Sequence, residues 1–200
     1  MPDSRSDSPA SPSLRERKKA KTRKALQEAA MRLIREQGYD ATTVDQIAAA
    51  AEVSPATFFR YFPTKEDVII QDEYDPMFVE RWHELPPTGT PIRRIREVIR
   101  STFSGLPQQE IDAIRERTTL MYSTPQVKAR VWDNWLNTQH LFDDLIGQHL
   151  GLPAEHPRVR ATTGAMMGAI LAVFETWIAD PAKDLAELVD EALSYLEAGL

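Results

Sequence analysis

Cysteine is missing from all 200 residues, which excludes a disulfide framework, a thiolate metal site and a catalytic thiol, and fits a reducing compartment. Long apolar runs are missing too. The apolar run Ala165 to Phe174 falls far short of the roughly 20 residues that span a bilayer, and no secretion signal is read at the start, so a soluble, internal, cytoplasmic protein with no membrane partner is expected. No strand pattern of useful length and no internal repeat is present. Zincin, nucleophile-elbow, P-loop and dinucleotide signatures are absent as well, so neither catalysis nor a bound cofactor is expected. Only four histidines occur. His140 and Asp144 have an i,i+4 spacing that arises often by chance, and no metal site is expected.

Hydrophobic residues make up 42% of the chain, a globular composition, and the length suits one small and one medium helical domain. The net charge is -6, which alone argues against a nucleic-acid partner, but its distribution argues the other way. Leu14 to Lys65 carry 11 Lys plus Arg against 6 Asp plus Glu, whereas Glu66 to Leu200 carry 12 against 22. A basic module joined to an acidic one is expected when only one end meets phosphate.

The basic module contains the stretch TVDQIAAAAEVSPATFFRYFPTK, residues 43 to 65. Thr43 can cap a helix with Val44, Ile47, Ala48 and Ala51 on one face. After a break at Glu52-Val53, Ser54 caps a second helix with Pro55 at its first position, where the missing N–H costs nothing. Pro63 ends that helix near Tyr61. Two short helices joined tightly form a helix-turn-helix, whose second helix enters the major groove. Phe58 and Phe62 are expected to pack inward with Val53, leaving Ser54, Ala56, Thr57, Phe59 and Arg60 toward DNA. Arg60 alone can fork onto guanine O6 and N7. Thr43, Tyr61 and Lys65 supply flanking groups of the kind that hold phosphates. The same pattern also suits a solvated helix pair inside an unrelated bundle.

Gly38-Tyr39, Ala41-Thr42-Thr43-Val44, Ile47-Ala48, Ala51, Val53-Ser54, Thr57 to Phe62 and Lys65-Glu66, taken together, resemble the DNA-binding domain of the TetR family of bacterial transcriptional repressors over roughly residues 15 to 68. The resemblance implies an all-α homodimer that reads an inverted-repeat operator and is released by a small molecule bound in its C-terminal domain. The segment FFRYFPTKEDVI, followed by Asp72, Glu73, Tyr74 and Asp75, is similar to a branch that takes fatty acyl-CoA-like ligands.

Along the chain, residues 1–13 read as a disordered tail of Ser, Pro and Asp, residues 14–65 as the helix-turn-helix domain and residues 66–200 as the ligand-binding and dimerisation domain. The first helix, Leu14 to Gln37, is closed by Gly38 and buries Leu26, Ala29, Ala30, Leu33 and Ile34. Its first turns present Lys18, Lys19 and Lys21 among other cations, as phosphate contacts or as an ordinary solvated face. A helix is expected from Glu66 to about Glu84, kinked or split at Asp75-Pro76. Four helical patterns and a last helix, Leu185 to Leu196, follow the loop at 86–91. Gly164, Gly168 and Ala172 form a flat stripe that, with Leu188, Leu193 and Leu196, is expected to build a four-helix dimer interface, or else packs inside one subunit. Phe78, Trp82, Phe103, Met121, Trp132, Trp135, Phe142, Met167 and Phe174 are either core or the lining of an apolar effector site. Arg93, Arg94, Arg96, Arg100, Arg115 and Arg117 are the cations a CoA ligand would need. The competing function is an architectural DNA-binding protein with no effector.

Overall fold

The computed structural model describes residues 13–71 and 74–199; the tail at 1–12, the Asp72-Glu73 pair and Leu200 lie outside the described residues. Among the described residues every regular element is a helix, and the chain divides into two compact units, Met1–Ile69 and Ile70–Leu200.

The first unit holds α1 (Leu14–Gln37), α2 (Val44–Ala50) and α3 (Pro55–Tyr61), and each helix begins at a side-chain cap. Ser13 and Glu16 form a capping box, Thr43 and Gln46 form a second, and Ser54 accepts from the Thr57 amide, so amides with no intrahelical partner are satisfied at each start. The core is Leu26, Ala29, Ala30, Met31 and Ile34 from α1, Ile47 and Ala48 from α2, and Phe58 and Phe62; Leu33 and Val53 are only half-buried. The turn between α2 and α3 is a Schellman motif, in which Val53 N–H donates to Ala48 C=O at 2.9 Å and Glu52 N–H to Ala49 C=O at 3.1 Å. Glu52 sits there at φ 55°, a left-handed conformation that favours glycine.

The helix expected from Glu66 to Glu84 is two helices, α4 (Asp67–Ile70) and α5 (Tyr74–Glu84), and the break precedes Tyr74 rather than falling at Pro76. Pro76 is the third residue of α5, and the first turn of a helix tolerates a residue without an N–H.

The second unit continues with α6 (Pro91–Phe103), α7 (Gln108–Ser123), α8 (Pro125–Leu150), α9 (Pro157–Ala179) and α10 (Leu185–Ala198). Helix α10 packs on α6 and α9, α8 on α7 and α9, and α5 on α6. One core runs through them, including Trp82, Ile95, Val98, Phe142, Ile146, Met166, Met167, Trp177 and Leu193. Helix α9, read from sequence as too short in apolar length, is long and apolar enough to cross a membrane by length and composition alone. Within this fold one side of it buries Val159, Thr163, Met166, Met167 and Trp177, while Gly164, Ala165, Gly168, Leu171 and Ala172 are exposed.

Candidate functional site

In the first unit the α3 surface is set by two buried rings. Phe58 and Phe62 lie one turn apart with centroids 5.7 Å apart, and both are fully buried. Holding that face inward presents Ser54, Ala56, Phe59 and Arg60 to solvent. The Phe59 ring is 52% exposed and is braced edge-on against Phe58 at 5.5 Å. The Arg60 guanidinium lies 5.5 Å from the Tyr61 ring centroid, within cation–π range. Ser54 and Thr57 hydroxyls bond each other at 3.0 Å, which leaves each with reduced capacity for a base edge. Thr43 is exposed but its hydroxyl serves the α2 cap. Lys18, Lys19 and Lys21 are exposed along the start of α1, while Arg23, from the same cluster, lies over the Phe62 ring at 4.6 Å.

Lys65 departs from its expected place among phosphate contacts. Its ammonium donates to the Tyr39 and Thr42 carbonyls, each at 2.9 Å, and lies 3.8 Å from the Tyr39 ring centroid. Two of its three donors are thereby engaged inside the unit. The Tyr39 hydroxyl donates to Glu66 Oε1. Burial, then the Glu66 bond and charge, push the Tyr39 phenol well up, whereas burial of Glu66 is outweighed by that hydroxyl and by neighbouring donors, so its carboxyl is held low. Gln37 closes the loop, donating to Ala41 C=O at 3.1 Å and to Gln46 Oε1 at 2.9 Å. No spacing in the sequence announces the Lys65 bonds, because they join a side chain to backbone carbonyls 26 and 23 residues away.

In the second unit the expected ligand residues separate into groups. Phe78 meets Phe103 at 6.1 Å and Phe142 at 6.4 Å; Trp82, Trp135, Met167 and Phe174 belong to or pack against the same core. Phe174 meets Tyr122 at 6.4 Å, and burial, then the Glu175 charge, push the Tyr122 phenol up to about 12. Met121 is half-buried outside that cluster. Trp132 is 63% exposed and so cannot line an internal site in this conformation.

The arginines are largely committed. Arg94, buried against Trp82 at 4.2 Å, donates to the Trp82 and Leu85 carbonyls and bonds His149 Nδ1 at 3.2 Å; burial lowers its pKa. Arg115 caps the end of α9, donating to the Trp177, Asp180, Pro181 and Lys183 carbonyls. Arg96 forks onto Asp190 at 2.9 and 3.0 Å and reaches Glu197 at 2.6 Å, and Arg100 also meets Asp190 at 2.9 Å. These side chains, with Arg93 and Glu97, line a groove of about 260 Å³. The Arg96 hydrogen bond, against burial and with both arginine charges, lowers the Asp190 carboxyl; Asp190 first and then Glu197 raise Arg96 in turn.

The dimer residues also separate. A Cβ built on Gly164 or Gly168 meets nothing within 4 Å, and Ala172 is exposed. Leu193, expected at the interface, is fully buried in the unit's own core, and Leu188 and Leu196 are half-buried against it. The α10 periodicity serves α6 and α9 of the same chain.

Residues 26–71 match the domain described as "Bacterial regulatory proteins, tetR family", and residues 90–200 match the MftR C-terminal domain. This chain belongs to the TetR family. As a TetR-family protein it is a ligand-responsive, DNA-binding transcriptional regulator with α2 and α3 as its helix-turn-helix. It is 36% identical over 115 residues to the transcriptional regulator TcmR of Streptomyces glaucescens, a match covering 56% of this chain and 50% of that protein. The fatty acid metabolism regulator protein of Bacillus subtilis is 28% identical, with 86% of this chain and 92% of that protein covered. Thermus thermophilus FadR, a repressor solved in complex with lauroyl-CoA, superposes with a TM-score of 0.56 at 26% identity, covering 89% of this chain and 94% of that one.

Proposed function

We propose that this TetR-family regulator is a cytoplasmic homodimer that represses from an inverted-repeat operator and is released by an elongated apolar effector. In this reading residues 14–65 meet DNA, and residues 66–200 hold the effector and the dimer contact. The exposed Ser54–Arg60 surface, buttressed by buried Phe58 and Phe62, is the observation that carries the DNA half. Ser54, Ala56, Phe59 and Arg60 face the groove, while Lys18, Lys19 and Lys21 meet phosphates.

For the dimer, the support is the open space beside Gly164 and Gly168 next to exposed Leu171 and Ala172, a flat face on which a second α9 can approach closely. A Cβ on Gly168 meets nothing within 4 Å among the described residues, so the side chain of Gly168→Leu starts into open space. The substitution is therefore expected to leave secondary structure intact and shift sedimentation from dimer to monomer; a dimeric variant would remove this face from the interface.

For the effector, the support is the ring cluster Phe78, Phe103 and Phe142, together with the likeness to a FadR solved with lauroyl-CoA. A fatty acyl thioester is the leading candidate. The rings are in mutual contact, so binding would have to part them, and Phe78 belongs to α5, the element that directly follows α4. Lauroyl-CoA is expected to quench Trp135, which packs against the core, and to release a labelled operator over the same concentration range. Coupling of about 1–3 kcal/mol, equal in both directions, is expected. Operator binding indifferent to a broad panel of apolar compounds would instead favour the effector-free architectural protein.

A further inference from the structure

In the second unit one buried carboxylate has no hydrogen-bond partner among the described residues. Asp143, on α8, is only 2% exposed, and no hydrogen bond from a described residue reaches either of its carboxylate oxygens. Meanwhile Arg94, Arg96, Arg100 and Arg115 are held by other groups, and Arg117 is engaged too. Aspartate is almost never fully buried unless paired, because water solvates a carboxylate far better than an apolar interior does. Protonation does not resolve the mismatch, since the acid then carries an O–H donor as well as acceptors. The described residues thus offer Asp143 a match in neither state, and a buried polar group of this kind calls for an explanation. Its neighbours along α8, Phe142, Leu145 and Ile146, all belong to the core cluster, and Phe142 is one of the rings that meet Phe78.

We infer that Asp143 receives the polar head of the effector, and that this head is an N–H or O–H donor without negative charge, such as an ammonium or hydroxyl group on an apolar body. The inference rests on the reading that residues 66–200 hold an apolar effector, and it sets which end chemistry that effector carries. A bare carboxylate head has only acceptors and offers Asp143 no donor. A fatty acyl thioester is compatible only if its amide N–H groups, and not its phosphates, approach Asp143.

The test compares dodecylamine, dodecanol and dodecanoate below their micellar concentrations on the full chain, read by tryptophan quenching, with lauroyl-CoA alongside. All three share one tail and differ only at the head. The amine and the alcohol are expected to bind about tenfold or more tighter than dodecanoate, the usual scale of a hydrogen bond to a charged group. Asp143→Asn is expected to collapse that preference, which separates Asp143 from the acidic surface of the unit as a whole. Asp143→Leu is expected to raise the thermal midpoint of the unliganded chain, because an uncompensated buried carboxylate destabilises a fold that does without it. Equal binding of the three heads, tighter binding of dodecanoate, or a preference that survives Asp143→Asn overturns the inference; so does a lowered midpoint in Asp143→Leu, which would mark a structural carboxylate. If lauroyl-CoA quenches and releases operator while head preference is absent, only this inference falls. If none of the four compounds binds, the effector reading falls with it.

Discussion

The two units differ in how completely their buried polar groups are hydrogen-bonded. In the first, Thr42, Tyr39, Gln37 and Lys65 are tied to carbonyls and carboxylates around the α1–α2 loop, and none of its described side-chain atoms is buried without a partner. In the second, Asp143 and Trp177 Nε1 are buried without one. A surface that must meet a rigid duplex in one register gains from side chains locked before contact, since ordering them on binding would cost affinity. A unit that must change state gains from groups that the unliganded arrangement leaves unmatched, because a ligand shifts a population only by binding one state better.

Phe58→Ala breaks the comparison most severely. Removing a fully buried ring from the small three-helix core should cost about 3–5 kcal/mol and abolish operator binding. A denaturant transition in which the first unit unfolds early while the second persists is the expected signature, and unchanged stability would show that the α3 face is not set by that ring.

Lys65→Met comes next. It keeps the apolar stem and removes the donors to Tyr39 and Thr42, so a loss of about 1–3 kcal/mol is expected from two orphaned carbonyls and the lost cation–π contact. The change should appear in the unfolding midpoint. A lowered salt slope of operator binding at unchanged stability would instead return Lys65 to the phosphate contacts.

Arg60→Ala should cost about 1–3 kcal/mol at one guanine-bearing step and relax preference there, leaving stability unchanged. Titration on matched and mutated sites at several salt concentrations distinguishes this from a uniform loss, which would make Arg60 a phosphate contact.

The clamp between α6 and α10 has a smaller effect, and a pH dependence. Asp190 is depressed in the fold from its ordinary value of 3.8, chiefly by Arg96. Its contribution is therefore fully present above about pH 4 and is lost as pH falls through the lowered folded value. Arg96→Ala should cost about 1 kcal/mol at neutral pH, the upper range for a partly exposed pair, and should flatten the acid limb of a thermal-stability profile.

The smallest expected change is a gain. Glu52→Gly relieves a left-handed non-glycine residue in the α2–α3 turn and should add about 1 kcal/mol or less, offset by the greater freedom of glycine in the unfolded chain. A loss would show that Glu52 makes a contact the backbone argument overlooks.

Local chemistry alone determined the helix-turn-helix. Thr43, Ser54, Pro55 and Pro63 act on backbone within a few residues of themselves, so the limits of α3 are legible as caps and stops. The end of α1 at Gly38 follows for the same reason, and the resemblance at 38–66 adds the family. Tertiary structure decided the rest. Whether a leucine of α10 faces a partner subunit or its own core depends on which helix lies beside it, so Leu193 is buried within the chain although its periodicity also suits an interface. Lys65 and Lys18 are the same residue type in the same basic module, yet only Lys65 lies within reach of two loop carbonyls. A Pro near a helix start and a Pro inside a helix look alike until the start is known, which is why Pro76 marks the first turn of α5 rather than a kink. Asp143 sits beside Asp144 in a helix whose pattern leaves both as polar positions, and burial alone separates the exposed carboxylate from the enclosed one. Burial and pairing are relations among distant residues, and they exist only once the chain has folded.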